Sequence, residues 1–244
     1  MSNGLYLYGI FPSPGPKELA LEGLDKQPVQ AQVVDEFVFL YSEAQQERYL
    51  ASRRNLLGHE RVLEQAMEHG YRTLLPLQFG LIIEGWEWVQ QQLLVPQGDR
   101  LKQLLQKLEG RREVSVKVVW DSERELESLM QENQTLRAER DQLEGKSLSM
   151  DEIVRIGQAI ERAMEDRKQA IAEAFRQRLS AMALETVENQ AMMDGMIFNA
   201  AYLIPWEQEA SFAEQVEVLD QQFNQRLRIR YNSFTAPFNF AQLN

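Results

Sequence analysis

Residues Met196 to Ile204 read Met-Ile-Phe-Asn-Ala-Ala-Tyr-Leu-Ile, with apolar or small side chains on both parities and no charge. A strand with one wet face alternates apolar with polar, so this pattern predicts a central β-strand covered on both sides. Asp194-Gly195 before it is a turn signal suited to a hairpin, with Leu184 to Asn189 as a short mate. Pro205 closes the run, because proline cannot donate to a ladder. Near the N-terminus, Gly4 to Phe11 is aromatic and aliphatic on both faces and predicts a buried strand running into a stiff loop of Pro12, Pro14, Gly15 and Pro16. Phe37 to Tyr41 repeats the pattern. Ser42 with Gln45 then gives a capping-box signal for a helix carrying Leu50, Leu56, Val62, Leu63, Ala66 and Met67 and ending at Gly70. Leu74 to Ile83 is a second uncharged stretch, in which Pro76 marks an edge or a bulge. Trp86 to Leu108 predicts two amphipathic helices broken near Pro96-Gln97-Gly98.

Beyond Gly110-Arg111-Arg112 the pattern changes. Val114, Val116, Val118 and Trp120 share one parity and Ser115 and Lys117 the other, which predicts a half-covered strand over residues 113 to 120. Ser122 with Glu125 and Ser149 with Glu152 are two further capping boxes, each opening a long helical pattern. Leu129, Leu136 and Leu143, with Leu126 on the same side, form a seam interrupted by Asn133 and Arg140, so a short helical hairpin is predicted and not an extended coiled coil. Its partner is a helix carrying Ile153, Ile156, Ile160 and Ala163 after a turn over Gly145 to Ser149, and a third helix around Ile171 to Met182 continues the apolar face through Ala174, Phe175 and Leu179. Ser211 with Glu214 opens a helix through Phe212, Val216, Leu219 and Phe223. In the last strand, Arg226 to Tyr231, the arginines face water and the apolar parity faces a core.

The order from residue 113 is strand, helices, strand, strand, helix, strand, a ferredoxin-like arrangement whose first crossover is enlarged. The expected fold is therefore α+β in two domains. Residues 1–110 form an N-terminal α+β domain, residues 111–230 a modified ferredoxin-like domain with a helical insertion at about 121–183, and residues 231–244 an aromatic tail packing between the domains.

The chain of 244 residues is 44% apolar, which suffices for sizeable cores, and its formal charge of −11 argues against a nucleic-acid backbone as partner. With no cysteine there is no disulfide, thiolate metal site or cysteine nucleophile, as suits a reducing cytoplasm. No apolar run approaches the length of a membrane span, and Met-Ser-Asn-Gly lacks the basic start of a secretion signal, so no lipid-membrane partner is expected.

His59-Glu60-Arg61-Val62-Leu63 starts like a zinc-protease helix, but Leu63 stands where the second histidine belongs. His69 is ten residues on and turned away on a helix, so His59 reads as a structural, hydrogen-bonded side chain facing Val62, Leu63 and Ala66. The carboxylates between Glu123 and Asp141 read as solvated helix faces. No phosphate loop, dinucleotide fingerprint or nucleophile elbow is present, so no catalytic, cofactor-binding or metal-ligating residue is assigned and the protein is expected not to be an enzyme. A ferredoxin-like RNA-binding module is the alternative, with Arg226, Arg228 and Arg230 as the nearest basic stripe, yet the central strand lacks the motif's Lys/Arg-Gly-aromatic opening. A small-molecule or metal-independent catalytic site beside Trp86 to Leu108 is a further alternative. The tail packs Tyr231, Phe234, Phe238 and Phe240 into ten uncharged residues. Candidate partner or interdomain contacts are Trp86, Trp88, Phe234, Pro237, Phe238 and Phe240.

Several of these pieces together resemble the gas vesicle protein F/L family, its cyanobacterial branch most of all. Gly4 to Ile10 looks like the family's first strand, His59 with Val62, Leu63 and Glu64 like its helix motif, and Leu75 to Gly80 like the segment that follows. Asn199 to Ile204 with Phe212 is similar to the late strand and helix, and Tyr231 to Phe240 takes the place of a proline- and aromatic-rich segment of which Tyr231, Pro237 and Phe240 match outright. The resemblance implies a non-enzymatic protein without cofactor, located at the gas vesicle within the cytoplasm. Its role would be that of a minor shell component or an assembly factor, with the hydrophobic main shell subunit and other gas vesicle accessory proteins as partners.

Overall fold

The computed structural model describes residues 4–17, 19–141 and 149–242. The chain divides into two compact units. One comprises Met1–Val114, Leu203–Glu209 and Asn232–Asn244, the other Ser115–Tyr202 and Ala210–Tyr231.

The first unit is built on a sheet of β1 (Leu5–Pro12), β2 (Gln30–Val34), β3 (Phe37–Glu43), β4 (Leu75–Pro76) and β5 (Ile82–Ile83), in the order β2-β3-β1-β4 with β5 also on β1. The uncharged β1 is interior, as its two-faced apolar pattern requires, and Tyr6, Leu7, Tyr8 and Ile10 are fully buried. The second uncharged stretch is split into two-residue strands, and Pro76 stands at the sheet edge opposite Gly9. Helix α1 (Arg53–Glu68) lays His59, Val62, Leu63, Ala66 and Met67 on the sheet. Its approach depends on Gly9, where an added Cβ would lie 2.7 Å from Leu63 Cδ2 and 3.1 Å from the Leu75 carbonyl oxygen.

Two expectations fail here for identifiable reasons. Ser42 does not cap the helix: it is a buried β3 residue whose Oγ lies 2.8 Å from the Tyr8 hydroxyl, and Ser52 caps α1 by accepting from the Asn55 N–H. The helix from Trp86 also does not break at Pro96. Short α2 (Trp86–Trp88) passes through a π-turn at Val89–Leu94 into α3 (Val95–Leu108), with Pro96 in the first turn of α3. The wider turn admits a residue that has no N–H to give and whose ring would crowd the preceding carbonyls.

The second sheet has the order β7-β8-β6-β9, from β6 (Arg111–Val119), β7 (Glu185–Glu188), β8 (Met196–Pro205) and β9 (Arg228–Thr235). The uncharged run is the interior strand β8, and Ala200 to Ile204 have no exposure. On β6, Val114, Val116 and Val118 are buried on the predicted parity. Between β6 and β7 lie α4 (Ser122–Glu132), α5 (Gln134–Asp141) and α6 (Met150–Ser180); α7 (Glu209–Gln222) lies between β8 and β9. The hairpin seam forms, with Leu129, Met130 and Leu136 packed against Ala159, Ile160 and Ala163. Leu143 and most of the predicted Gly145 to Ser149 turn lie outside the described residues.

The details of these helices differ from the sequence pattern. Asp121, not Ser122, caps α4, because its carboxylate accepts from the N–H groups of Glu123 and Arg124. Asn133 divides the first arm, accepting on its side chain from Leu136 N–H and so starting α5 afresh. The second and third helices are one, α6, running 31 residues from a complete Ser149/Glu152 capping box. Helix α7 begins two residues before Ser211. β9 starts at Arg228, and Arg226, expected in water, is drawn inward by an acidic partner.

Buried polar sites and candidate contact surfaces

In the first unit, His59 is 2% exposed. Its Nε2 lies 3.0 Å from the Leu77 carbonyl, which only accepts, so Nε2 carries the proton and Nδ1 accepts from the Tyr6 hydroxyl at 2.9 Å. That hydroxyl in turn accepts from Gly80 N–H at 3.0 Å. The chain Gly80 to Tyr6 to His59 to Leu77 ties the first strand, the helix and the Leu75–Gly80 segment together. Burial lowers the His59 pKa to about 4, against a rise from the Leu77 bond, so the imidazole is neutral. This is the structural histidine that its apolar neighbours predicted.

Glu113 shares the parity of Ser115 and Lys117 on β6, yet it is 3% exposed. The C-terminal segment meets it: Asn239 donates its backbone N–H to Oε2 at 2.9 Å and its amide Nδ2–H to Oε1 at 2.6 Å. Burial pushes the carboxyl up to about 7 although both bonds oppose the shift. Nothing in the local sequence marks Glu113 as buried; the partner is 126 residues away. Beside it, the guanidinium of Arg112 lies 4.3 Å from the centre of the Trp206 ring and that of Arg72 4.5 Å, and Arg112 also donates to the Ser233 carbonyl.

The six candidate contact residues are thus distributed. Pro237 and Phe240 are buried in the first unit, Phe240 lying 5.6 Å from the Lys107 ammonium. Phe234 packs near Trp206, and Phe238 lies 6.4 Å from His59. Trp86 is half-buried against Phe39 and Tyr41, and Trp88 remains 42% exposed. Other large apolar side chains on the surface include Leu50, Leu57 and Val95 in the first unit and Met150, Val154 and Met192 in the second.

In the second unit Glu125 departs from the solvated faces predicted for its segment. It is 1% exposed, with Arg167 Nε 2.7 Å from Oε2 and Arg226 Nε 2.8 Å from Oε1. The Arg226 Nε–H is not aimed along that short distance, so the contact is an ion pair without a good hydrogen bond. Arg167 also reaches Glu132 at 2.8 Å and Ser128 at 2.9 Å. The cluster fastens α4 to α6 and to the approach of β9, and it removes Arg226 from the basic stripe on which an RNA-binding reading would rest.

Beside α3 are two shallow depressions of about 250 and 220 Å³, lined where they adjoin by Glu36, Phe37 and Lys102. Lys102 and Glu36 form an exposed ion pair at 2.6 Å. Among the described residues no three His, Cys, Asp or Glu side chains are grouped to hold a metal ion, and no helix is long and apolar enough to cross a membrane.

Comparison with known proteins adds the lineage. The family described as "Gas vesicle synthesis protein GvpL/GvpF" matches residues 4–242. Gas vesicle protein F of Dolichospermum flosaquae is 60% identical over 243 residues, covering 100% of this chain and 99% of the relative. That of Haloferax mediterranei is 22% identical and still spans 100% of this chain and 95% of the relative. The crystal structure of GvpF from Anabaena sp. PCC7120 has a TM-score of 0.85 at 53% identity, covering 99% of this chain and 97% of that one. The crystal structure of GvpF from Microcystis aeruginosa has a TM-score of 0.82 at 55% identity, covering 98% and 99%. The mixed helix-and-sheet fold is thus common to all three, and this chain belongs to the GvpL/GvpF family of gas vesicle proteins.

Proposed function

We propose that this protein is a minor shell component or assembly factor of the gas vesicle, working inside the cytoplasm by binding the hydrophobic main shell subunit and limiting its aggregation. The observation that carries the reading is the match of the family along residues 4–242, through both compact units, so the whole chain and not one module is retained for the vesicle. The surface supports it. A chain with a net charge of −11 still exposes Leu50, Leu57, Trp88, Val95, Met150 and Val154, side chains suited to an apolar partner. The physical need is plain, since a subunit that builds a water-repelling wall exposes apolar surface and strand edges before assembly. Strong negative charge keeps copies of the protein apart from one another.

The same proposal covers its architecture. The order β7-β8-β6-β9, with helices between β6 and β7 and between β8 and β9, supports reading residues 111–230 as a modified ferredoxin-like domain with its helical insertion. Residues 1–110 are then an α+β domain. Fractionation of intact, detergent-washed vesicles tests the functional reading, together with recovery of the main shell subunit on this chain from cell extract. Detection in either supports it, and absence from both overturns it.

A further inference from the structure

The outer strands of the two sheets are protected unequally. Strand β4 has two residues, one of them Pro76; β7 carries Glu185 and Glu188, both exposed; β9 carries Arg228 and Arg230, both exposed. These are the devices that keep sheet edges from pairing with other chains. Strand β2 has none of them. It reads Gln-Ala-Gln-Val-Val, without charge or proline in a chain that is 26% charged, and its pairing with β3 runs from Gln30↔Tyr41 to Val34↔Phe37 without a bulge.

The hairpin geometry says which of its main-chain groups are uncovered. The two-residue turn Asp35-Glu36 makes Val34 and Phe37 the closing hydrogen-bonded pair, so Gln32 and Gln30 bond toward β3 while Ala31 and Val33 direct N–H and C=O outward. Val33 agrees: its carbonyl is met by the side chain of its own neighbour, Gln32 Nε2, at 2.9 Å, and the residue is 51% exposed. One step earlier the same edge already accepts an extended segment, since Val29 donates to the Leu21 carbonyl at 2.9 Å and Glu22 bridges Pro28. Among the described residues, no main-chain group beyond Leu21 bonds to this edge. A groove of about 320 Å³ lies alongside, lined by Pro16, Leu19, Val29, Ala31 and Leu40 with Lys17 at its side.

We infer that β2 is a docking edge, which takes an extended, uncharged segment of a partner chain as an added strand, with a small or apolar side chain of that segment entering the groove beside Ala31. The inference rests on the proposed function, in which the unassembled shell subunit supplies the strand. The occupant is a strand because only a strand presents main-chain donors and acceptors at the spacing of Ala31 and Val33. It is a partner and not a second copy because two chains of −11 repel each other, whereas a neutral segment meets no such opposition.

The test uses the full chain with overlapping synthetic peptides covering the main shell subunit, read by hydrogen exchange of individual amides. Binding of a peptide should slow exchange at Ala31 and Val33 by at least about tenfold. Val33→Pro removes the outward N–H and none of the N–H groups that bond to β3, so it should weaken binding roughly tenfold. If Val33→Pro lowers the melting temperature sharply, exchange in the unmodified chain decides alone. Peptide binding with Ala31 and Val33 unprotected overturns the docking edge and leaves the functional reading standing. Failure to bind any peptide or to capture co-expressed shell subunit overturns both. Protection of the same amides in a homodimer without peptide makes a second copy the occupant and overturns the partner assignment.

Discussion

Glu113 and Asn239, 126 positions apart, are joined by two hydrogen bonds that use both carboxylate oxygens, at 2.9 Å from the asparagine backbone and 2.6 Å from its side chain. This pair holds a C-terminal segment whose Ala236, Phe240 and Ala241 are buried but which runs outside any strand or helix. Asn239→Ala leaves one oxygen of a buried carboxylate without its donor. The expected cost is about 1 to 3 kcal/mol in urea unfolding, with the C-terminal segment becoming the first site of limited proteolysis. Unchanged stability and protection would contradict the fastening role.

Two buried groups give the stability opposite pH slopes. The folded pKa of Glu113 is raised to about 7 from an ordinary 4.5, so the folded protein binds the extra proton and stability falls as pH rises from 4.5 to 7. The folded pKa of His59 is lowered to about 4 from 6.5, so the unfolded chain binds the extra proton and stability falls as pH drops from 6.5 to 4. Each contributes about 3 kcal/mol at full effect, and between pH 4.5 and 6.5 they oppose each other. Glu113→Gln should unmask a stability that climbs steeply with pH over that interval, and His59→Gln one that declines. Denaturant midpoints measured across the range check both signs.

The regular elements were legible because burial imposes its period on the residues themselves. The two-faced apolar runs at Leu5 to Phe11 and Met196 to Ile204 predict interior strands, and β1 and β8 are interior. The alternation of Val114, Val116 and Val118 predicts a half-covered strand, which β6 is. What failed were signals whose meaning depends on distant chain. Ser42-x-x-Gln45 has the spacing of a cap, yet Ser42 is claimed by Tyr8 from another strand. Glu113, Glu125 and Arg226 look like surface charges until their partners Asn239 and Arg167 arrive from far along the sequence. Gln-Ala-Gln-Val-Val alternates too weakly to predict strand β2, and its lack of charge and proline leaves the edge undefended.

Glu125 lies between two arginines and is almost without solvent. Glu125→Ala should destabilise the second unit by about 3 to 5 kcal/mol, because it leaves Arg167 and Arg226 partly buried without their shared counter-charge. Adding apolar replacements at Arg167 and Arg226 should recover much of the loss. Chemical denaturation of the single and triple variants checks this.

The Tyr202 hydroxyl is fully buried with no hydrogen-bond partner among the described residues, and burial raises its pKa well above the ordinary phenol value. Removing an unsatisfied buried group while keeping the ring against Phe212 should be neutral or favourable. Tyr202→Phe is therefore expected to raise stability by up to about 1 kcal/mol, seen as a higher melting temperature. A loss of that size would mean the hydroxyl has a partner.

Under the proposed function, this protein keeps an apolar shell subunit from self-associating by holding it. Light scattering of the freshly diluted main shell subunit, with and without an equimolar amount of this chain, tests it most directly. The account predicts delayed or suppressed scattering and a soluble complex containing both chains, and scattering that proceeds unchanged with the two chains separate would contradict it.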